Sequence, residues 1–187
     1  MTKFVLHGGF DREIPVQEDD EFFKEMLADT PEDVKLLLVY FAEQDEKVPA
    51  RIEQDKAQFN KIKGSKNVHF KVASEETFLQ DCAWADVIYL HGGRTGRLME
   101  ALKKYQNLGH VFSGKIIASD SAGVNVLGQL FYSKNSKEIG EGLRILPFKV
   151  VVHYIDGAPN PLADVEPDLE TLQLREYETV VKNYEIE

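Results

Sequence analysis

Short apolar runs alternate with longer amphipathic segments along this chain, and no other feature restricts its fold as strongly. The run Val34–Ala42 is almost continuously apolar, as in a strand that is buried on both faces. Asp86–His91 and Lys115–Ser119 have the same character. Between such runs, Glu18–Ala28 and Thr95–Leu108 carry apolar residues at helical spacing. Strands that alternate with helices of about 10–15 residues predict a parallel sheet with helices on both faces.

Further strands are predicted from shorter runs nearer the two ends of the chain. Lys3–His7, Asn67–Ala73 and Phe148–Tyr154 have strand-like patterns. Leu169–Leu174 and Tyr177–Lys182 are expected to pair with each other as terminal strands. We therefore expect an α/β protein, a three-layer α/β/α sandwich around a mostly parallel, flavodoxin-like sheet.

Composition narrows the classes of function. The chain has 187 residues, which suits a single domain over residues 1–187. Its formal net charge is −10 and its basic residues are scattered, so we expect no nucleic-acid partner. The single cysteine, Cys82, cannot form an intramolecular disulfide, which is typical of a reducing compartment. The apolar runs of the chain are far shorter than the about 20 residues that a membrane-spanning helix needs, so we expect a cytoplasmic protein with no membrane partner.

A tight turn around Ser121 is the strongest chemical signal in the sequence. Ser121 directly follows the strand Lys115–Ser119 and precedes a predicted helix that begins at Ala122. A serine on such a strand-to-helix turn projects from the sheet edge as a nucleophile, and small neighbours such as Gly123 permit the close packing. The alternative is that Ser121 only caps the helix. Asp120 is expected to line the pocket.

His153 is the best candidate for a base that activates Ser121. It follows the predicted buried strand at Phe148–Val152, so it is expected at the same sheet edge as Ser121. A serine hydroxyl becomes a good nucleophile when a neighbouring imidazole takes its proton. The alternative is a structural histidine bonded to a carbonyl. His7 and His91 each precede a Gly-Gly pair and are expected as pocket neighbours.

An acidic residue that orients the imidazole would complete a triad. Between Ser121 and His153 the candidates are Glu138, Glu141 and, as a neutral alternative, Asn135. Glu138 is the preferred one. The alternative is that all three lie on a solvated loop.

The segment Gly92–Thr95 leaves a predicted strand and opens a helix. Backbone N–H groups presented by such a loop can bind an oxyanion, and Gly93 together with Ala122 would supply two donors. The alternative is an ordinary Gly-Gly turn. Arg94, in the same segment, is able to bind a substrate carboxylate. The alternative is that Arg94 forms an ion pair with a surface Asp or Glu.

Together these motifs resemble peptidase family S51, which includes dipeptidase E and cyanophycinase and has the class I glutamine amidotransferase-like fold. The resemblance is carried by Gly92–Thr95, Leu98, Ser121–Gly123 with Asn125, Gly142–Leu143, Leu146–Pro147 and His153–Tyr154. The segment Leu174–Glu178 is also similar to the C-terminal strands of the family.

This resemblance implies a serine hydrolase that cleaves small, aspartate-containing peptides. It implies that Ser121 is the nucleophile, that His153 is the base, and that Gly93 and Ala122 are the oxyanion donors.

The residues then expected to contact substrate are Arg94, Asp120 and Asn125. Arg94 stands where dipeptidase E has a small or amide residue, and Asp120 replaces an aromatic residue.

A non-catalytic, regulatory binding protein of the same fold is the main alternative. A glutaminase would need a cysteine at the turn, and Cys82 lies elsewhere. No His/Asp/Glu cluster has metal-ligand spacing, so neither a metal nor a cofactor is expected. The expected partner is a small peptide substrate, and a homodimer remains open.

Overall fold

The computed structural model of the chain describes residues 1–11, 14 and 18–186. The strands over these residues are β1 (Thr2–His7), β2 (Asp33–Val39), β3 (Asn67–Val72), β4 (Val87–Leu90), β5 (Ile116–Asp120), β6 (Leu130–Ser133), β7 (Glu138–Glu141), β8 (Lys149–Val152), β9 (Thr171–Leu174) and β10 (Thr179–Tyr184). The helices are α1 (Asp20–Leu27), α2 (Val48–Ile62), α3 (Phe78–Trp84), α4 (Thr95–Leu102), α5 (Leu108–Phe112) and α6 (Ala122–Leu127), with a short 3-10 helix at Asp45–Lys47.

The central sheet within the described residues has six strands in the order β10-β1-β5-β4-β2-β3. Strands β1 to β5 run parallel, and β10 is added antiparallel at the outer edge of β1. The predicted mostly parallel sheet is therefore confirmed. The carboxyl ends of β1, β4 and β5 lie side by side, which brings the segments that follow them to one edge.

Alternating side chains of the strands fill two separate cores, one on each face of the sheet. Val5 and Tyr89 pack with α1 and α2 on one face. Phe4 and Leu90 pack with α3, α4, α5 and α6 on the other. Because successive residues of a strand point to opposite faces, continuously apolar strands need a layer on each side. The three-layer arrangement is confirmed.

A second sheet of four strands, in the order β7-β6-β8-β9, was not predicted. Strand β8 lies between β6 and β9 in this sheet, so His153 does not follow a strand of the central sheet. The prediction that β9 and β10 pair with each other is wrong. β9 extends the second sheet beside β8, whereas β10 covers the edge of β1, and residues 175–178 carry the chain from one sheet to the other.

The predicted helix Thr95–Leu108 ends earlier, since α4 stops at Leu102, and a separate short helix, α5, begins at Leu108. Asn107 precedes α5 with a φ of 55°, a left-handed conformation that asparagine tolerates better than most residues. Within the described part of the chain, no helix is both long and apolar enough to cross a membrane.

Candidate active site

Ser121 occupies the junction between β5 and α6 in an unusual backbone conformation, with φ 45° and ψ −99°. Non-glycine residues rarely adopt such angles, which cost about 1–3 kcal/mol. Packing fixes the turn, because a Cβ at Gly123 would lie 2.5 Å from the carbonyl oxygen of Leu90. Ser121 holds the N-cap position, yet its side chain makes no capping hydrogen bond within the described chain. The hydroxyl is directed instead to a histidine.

That histidine is His153, whose Nε2 lies 2.9 Å from the Ser121 Oγ. His153 follows β8 with a φ of 52°, and its N–H donates to the carbonyl of Gly8 at 3.0 Å. Its ring packs on the backbone of Gly9, where a Cβ would lie 2.4 Å from the imidazole Cε1. The two predicted partners thus meet, although their strands belong to different sheets.

Glu176 lies on the other side of the imidazole. Its Oε1 is 2.9 Å from the His153 Nδ1, and its side chain is 41% exposed. The turn that carries Glu176 is fixed to the first Gly-Gly loop, because Gly8 N–H donates to the Glu178 carbonyl and Tyr177 N–H donates to the Gly9 carbonyl. A carboxylate accepts a hydrogen bond from Nδ1–H in this geometry, so the Nε2 lone pair is the acceptor for the serine hydroxyl.

The structure therefore places Glu176, and not the predicted Glu138, beside Nδ1 of His153. Glu138 lies on exposed strand β7, and no hydrogen bond or ion pair joins it to His153 in the described structure. Glu141 ends the same exposed strand, and Asn135 lies in the turn before it. The acid was expected between Ser121 and His153, and Glu176 comes later in the chain. The similarity of Leu174–Glu178 to the C-terminal strands of the family was the available signal.

The glycine loop after β4 presents one backbone donor to the site. Gly92 N–H donates to Asp120 Oδ1 at 2.6 Å, and Arg94 N–H donates to the Ala42 carbonyl at 2.8 Å. The N–H of Gly93, which lies between them on the exposed surface, has no acceptor in the described structure. The Ala122 N–H, at the start of α6, likewise has none among the described residues. Both expected oxyanion donors are therefore available.

Asp120 and Asn125, predicted to contact substrate, also make internal contacts. Asp120 is buried and accepts hydrogen bonds from Tyr89 Oη at 3.0 Å and from Gly92 N–H, so it holds the glycine loop. Asn125 donates to Thr95 Oγ1 at 3.2 Å, and its buried Oδ1 has no partner within the described chain. Both nevertheless line cavities that contain Ser121.

The sequence matches the profile of peptidase family S51 over residues 5–185. This chain belongs to peptidase family S51. The resemblance inferred from the glycine loop, Ser121 and His153 is thereby confirmed, and the chain is a member of a family of serine peptidases. A comparison with curated protein sequences gives no match.

Solved structures share the fold of this S51 chain. A peptidase from an acI-B1 actinobacterium superposes with a TM-score of 0.67 at 20% identity, covering 97% of this chain and 83% of the other. A candidate peptidase E from Listeria monocytogenes EGD-e superposes with a TM-score of 0.58 at 16% identity, covering 98% of this chain and 99% of the other. At these identities the likeness establishes the fold.

Two cavities of the S51 chain meet at Ser121, with volumes of about 280 and 400 Å³. Both are lined by Gly93, Arg94 and His153. Arg94 is exposed and forms no ion pair within the described part of the chain, so its predicted pairing with a surface carboxylate is not found there. Lys47 and Arg51 contribute two further cations to the smaller cavity, and Arg51 pairs with Glu43.

Cys82 lies away from these cavities, buried in α3. Burial raises the pKa of its thiol to about 12, which keeps it protonated and unreactive. No group of His, Cys, Asp and Glu suited to a metal ion occurs among residues 1–11, 14 and 18–186.

Proposed function

We propose that this chain is a serine peptidase in which Ser121 is the nucleophile, His153 the general base and Glu176 the orienting acid. The observation that carries the proposal is the continuous chain of contacts from Ser121 Oγ to His153 Nε2 and from His153 Nδ1 to Glu176, each 2.9 Å long. A nucleophile bonded to a base that a third group orients is the arrangement that activates serine.

The reaction follows from this geometry. Ser121 Oγ attacks the peptide carbonyl carbon while its proton passes to His153 Nε2. The carbonyl π electrons move to oxygen, and the resulting oxyanion accepts hydrogen bonds from the Gly93 and Ala122 N–H groups. The intermediate collapses, the C–N bond breaks, and the His153 proton goes to the leaving amine. A water molecule then attacks the acyl ester by the same route and restores Ser121.

Glu176 stabilises the imidazolium that forms during both steps. Because its carboxylate contacts Nδ1, the positive charge on His153 is balanced when Nε2 takes the serine proton. The carboxylate is partly exposed, so water screens part of this attraction. Its main contribution is then to select the tautomer with hydrogen on Nδ1.

The substrates that fit this site best are small acidic peptides. Cavities of about 280 and 400 Å³ suit a ligand of a few residues. The chain as a whole carries a net charge of −10, and the smaller cavity beside Ser121 is lined by Arg94, Lys47 and Arg51 together with the carboxyl groups of Glu43 and Asp120. Glu43 pairs with Arg51, whereas Arg94 forms no ion pair among the described residues. A guanidinium can bind a carboxylate through two parallel hydrogen bonds. Arg94 is therefore the proposed contact for an aspartate side chain or a terminal carboxylate.

A fluorophosphonate probe tests the nucleophile directly. We expect the wild-type chain to be labelled at Ser121, as located by peptide mass spectrometry, and Ser121→Ala to remain unlabelled. Ser133→Ala is the matched control, since Ser133 lines the larger cavity beside Ser121. Wild-type protein that resists the probe, yet binds an acidic dipeptide by calorimetry, would instead support the non-catalytic binding protein.

A further inference from the structure

His91 contacts the peptide group that presents the proposed oxyanion donor. Its Nδ1 lies 2.9 Å from the carbonyl oxygen of Gly92. A carbonyl oxygen can only accept a hydrogen bond, so Nδ1 carries the proton. The Gly92 carbonyl and the Gly93 N–H belong to one planar peptide group and point in opposite directions. A bond that holds the carbonyl therefore also fixes the direction of the Gly93 N–H.

The neighbouring peptide groups are fixed by other contacts. The N–H of Gly92 is bonded to Asp120, and the N–H of Arg94 is bonded to the Ala42 carbonyl. The peptide between Gly92 and Gly93 is flanked by glycine on both sides, so little steric resistance opposes its rotation. The hydrogen bond from His91 is the contact that restrains this peptide among the described residues.

The imidazole of His91 is itself firmly held. It is 2% exposed, and its ring centroid lies 5.0 Å from that of Tyr40 and 5.6 Å from that of Tyr89. Its Nε2 faces the Asp55 carboxyl group of α2 at 3.8 Å, and the Tyr40 hydroxyl donates to the same carboxyl oxygen at 2.7 Å. Burial and these ring contacts therefore restrict the imidazole, whose Nδ1 is directed at the loop, although its Nε2 makes no hydrogen bond within the described chain.

We propose that His91 is a positioning residue that locks the Gly92–Gly93 peptide with its N–H directed into the active site. The inference rests on the proposed function, because the locked N–H matters only where an oxyanion forms. His91 acts through the Gly92 carbonyl. Its loss should therefore lower the rate of the covalent step while leaving substrate affinity nearly unchanged.

Three substitutions separate the hydrogen bond from the bulk of the ring. His91→Asn keeps a donor close to the position of Nδ1. His91→Gln places its amide near Nε2, too far along the side chain to reach Gly92. His91→Leu has similar volume and no donor. We expect His91→Gln and His91→Leu to react with a fluorophosphonate at Ser121 about 10- to 100-fold more slowly than wild type. We expect His91→Asn to stay within about fivefold of wild type.

With an acidic dipeptide as substrate, the loss should appear in kcat, with KM changed by less than about threefold. Equal rates for His91→Asn and His91→Gln would overturn the positioning role. So would a wild-type rate for His91→Leu. Should wild type itself not react, the proposed function fails. The inference is then decided by crystal structures of His91→Asn and His91→Gln, which should show the Gly92–Gly93 peptide in place in the first and rotated in the second. An unrotated peptide in both overturns it.

Discussion

The Nδ1 of His153 lies 2.9 Å from the Oε1 of Glu176, across the junction between the two sheets. His153 directly follows β8 of the second sheet, and Glu176 lies in the turn that leaves this sheet for the central one. The contact therefore depends on how the sheets are placed against each other. It also distinguishes Glu176, which contacts His153, from Glu138, which does not.

Replacing Glu176 by glutamine tests whether Glu176 orients His153. The amide can donate to Nδ1 and so favours the wrong tautomer of His153, which in a buried triad lowers kcat by up to about 10⁴-fold. Because Glu176 is 41% exposed, we expect a smaller loss, about 10²-fold in kcat/KM. Steady-state kinetics with an acidic dipeptide measures it.

Glu138→Gln is the matched control, since Glu138 lines the larger cavity without contacting His153. Its activity should stay within about twofold of wild type, since removing an exposed charge costs little. A large loss in this variant together with an active Glu176→Gln would restore Glu138 as the acid.

Arg94→Ala tests the acidic specificity. Losing a charge-assisted hydrogen bond costs about 1.5–3 kcal/mol, so KM for an acidic dipeptide should rise about tenfold or more, while a neutral dipeptide is nearly unaffected. Arg97→Ala is the control, because Arg97 lies one turn along α4 and pairs with Asp45. Equal losses on both substrates would show that Arg94 supports the loop and does not bind the substrate.

The mostly parallel central sheet could be predicted because β2, β4 and β5 are apolar on both faces, as in strands that lie inside a sheet. The position of Glu176 beside His153 could not be predicted in that way. The strands that flank Glu176, β9 and β10, are each compatible with pairing to the other. Their actual partners are β8 and β1, whose edges are available only in the folded chain. The local sequence therefore does not indicate this pairing.

For the candidate active site, too, local sequence patterns predicted some features and missed those that depend on tertiary packing. Ser121 and His153 could be predicted as neighbours because in each case a strand end and a chemically distinctive side chain coincide in the sequence. The hairpin of β6 and β7 was not predicted, because the charges of this segment obscure its short strands, and a solvated loop was the alternative considered for it. The two Leu-His-Gly-Gly segments look alike, yet the one ending at Gly9 supports His153, and the one ending at Gly93 presents a donor.

Asp55 should give the stability of this protein a distinctive dependence on pH. Burial raises the pKa of its carboxyl group from 3.8 to about 6, against the opposing effects of His91 and Tyr40. Between pH 4 and 6 the folded chain therefore holds this proton while the unfolded chain releases it. The contribution of Asp55 to the free energy of unfolding thus falls as pH rises through this window, by about 3 kcal/mol in total.

Asp55→Asn removes this titration and keeps an acceptor for the Tyr40 hydroxyl. The free energy of unfolding of the variant minus that of wild type should therefore increase by about 3 kcal/mol between pH 4 and 7. Urea denaturation at several pH values measures the difference. A difference that does not change with pH would mean that Asp55 titrates normally in the folded chain.

Gly9→Ala tests how tightly the first Gly-Gly loop positions the base. Gly9 has a φ of 108°, and an added Cβ would lie 2.4 Å from Cε1 and 2.5 Å from Nε2 of His153. The methyl group must displace the imidazole from Ser121, and a shift of about 1 Å costs about 10²-fold in rate.

Gly64→Ala is the matched control. Gly64 also has a positive φ, of 58°, but open space around its Cβ position, so the two variants share backbone strain and differ at the active site. We expect both to lose about 1 kcal/mol or more of stability in thermal denaturation, while Gly9→Ala alone loses about 10²-fold in the rate of fluorophosphonate labelling. Equal labelling by the two variants would show that His153 has room to move without losing Ser121.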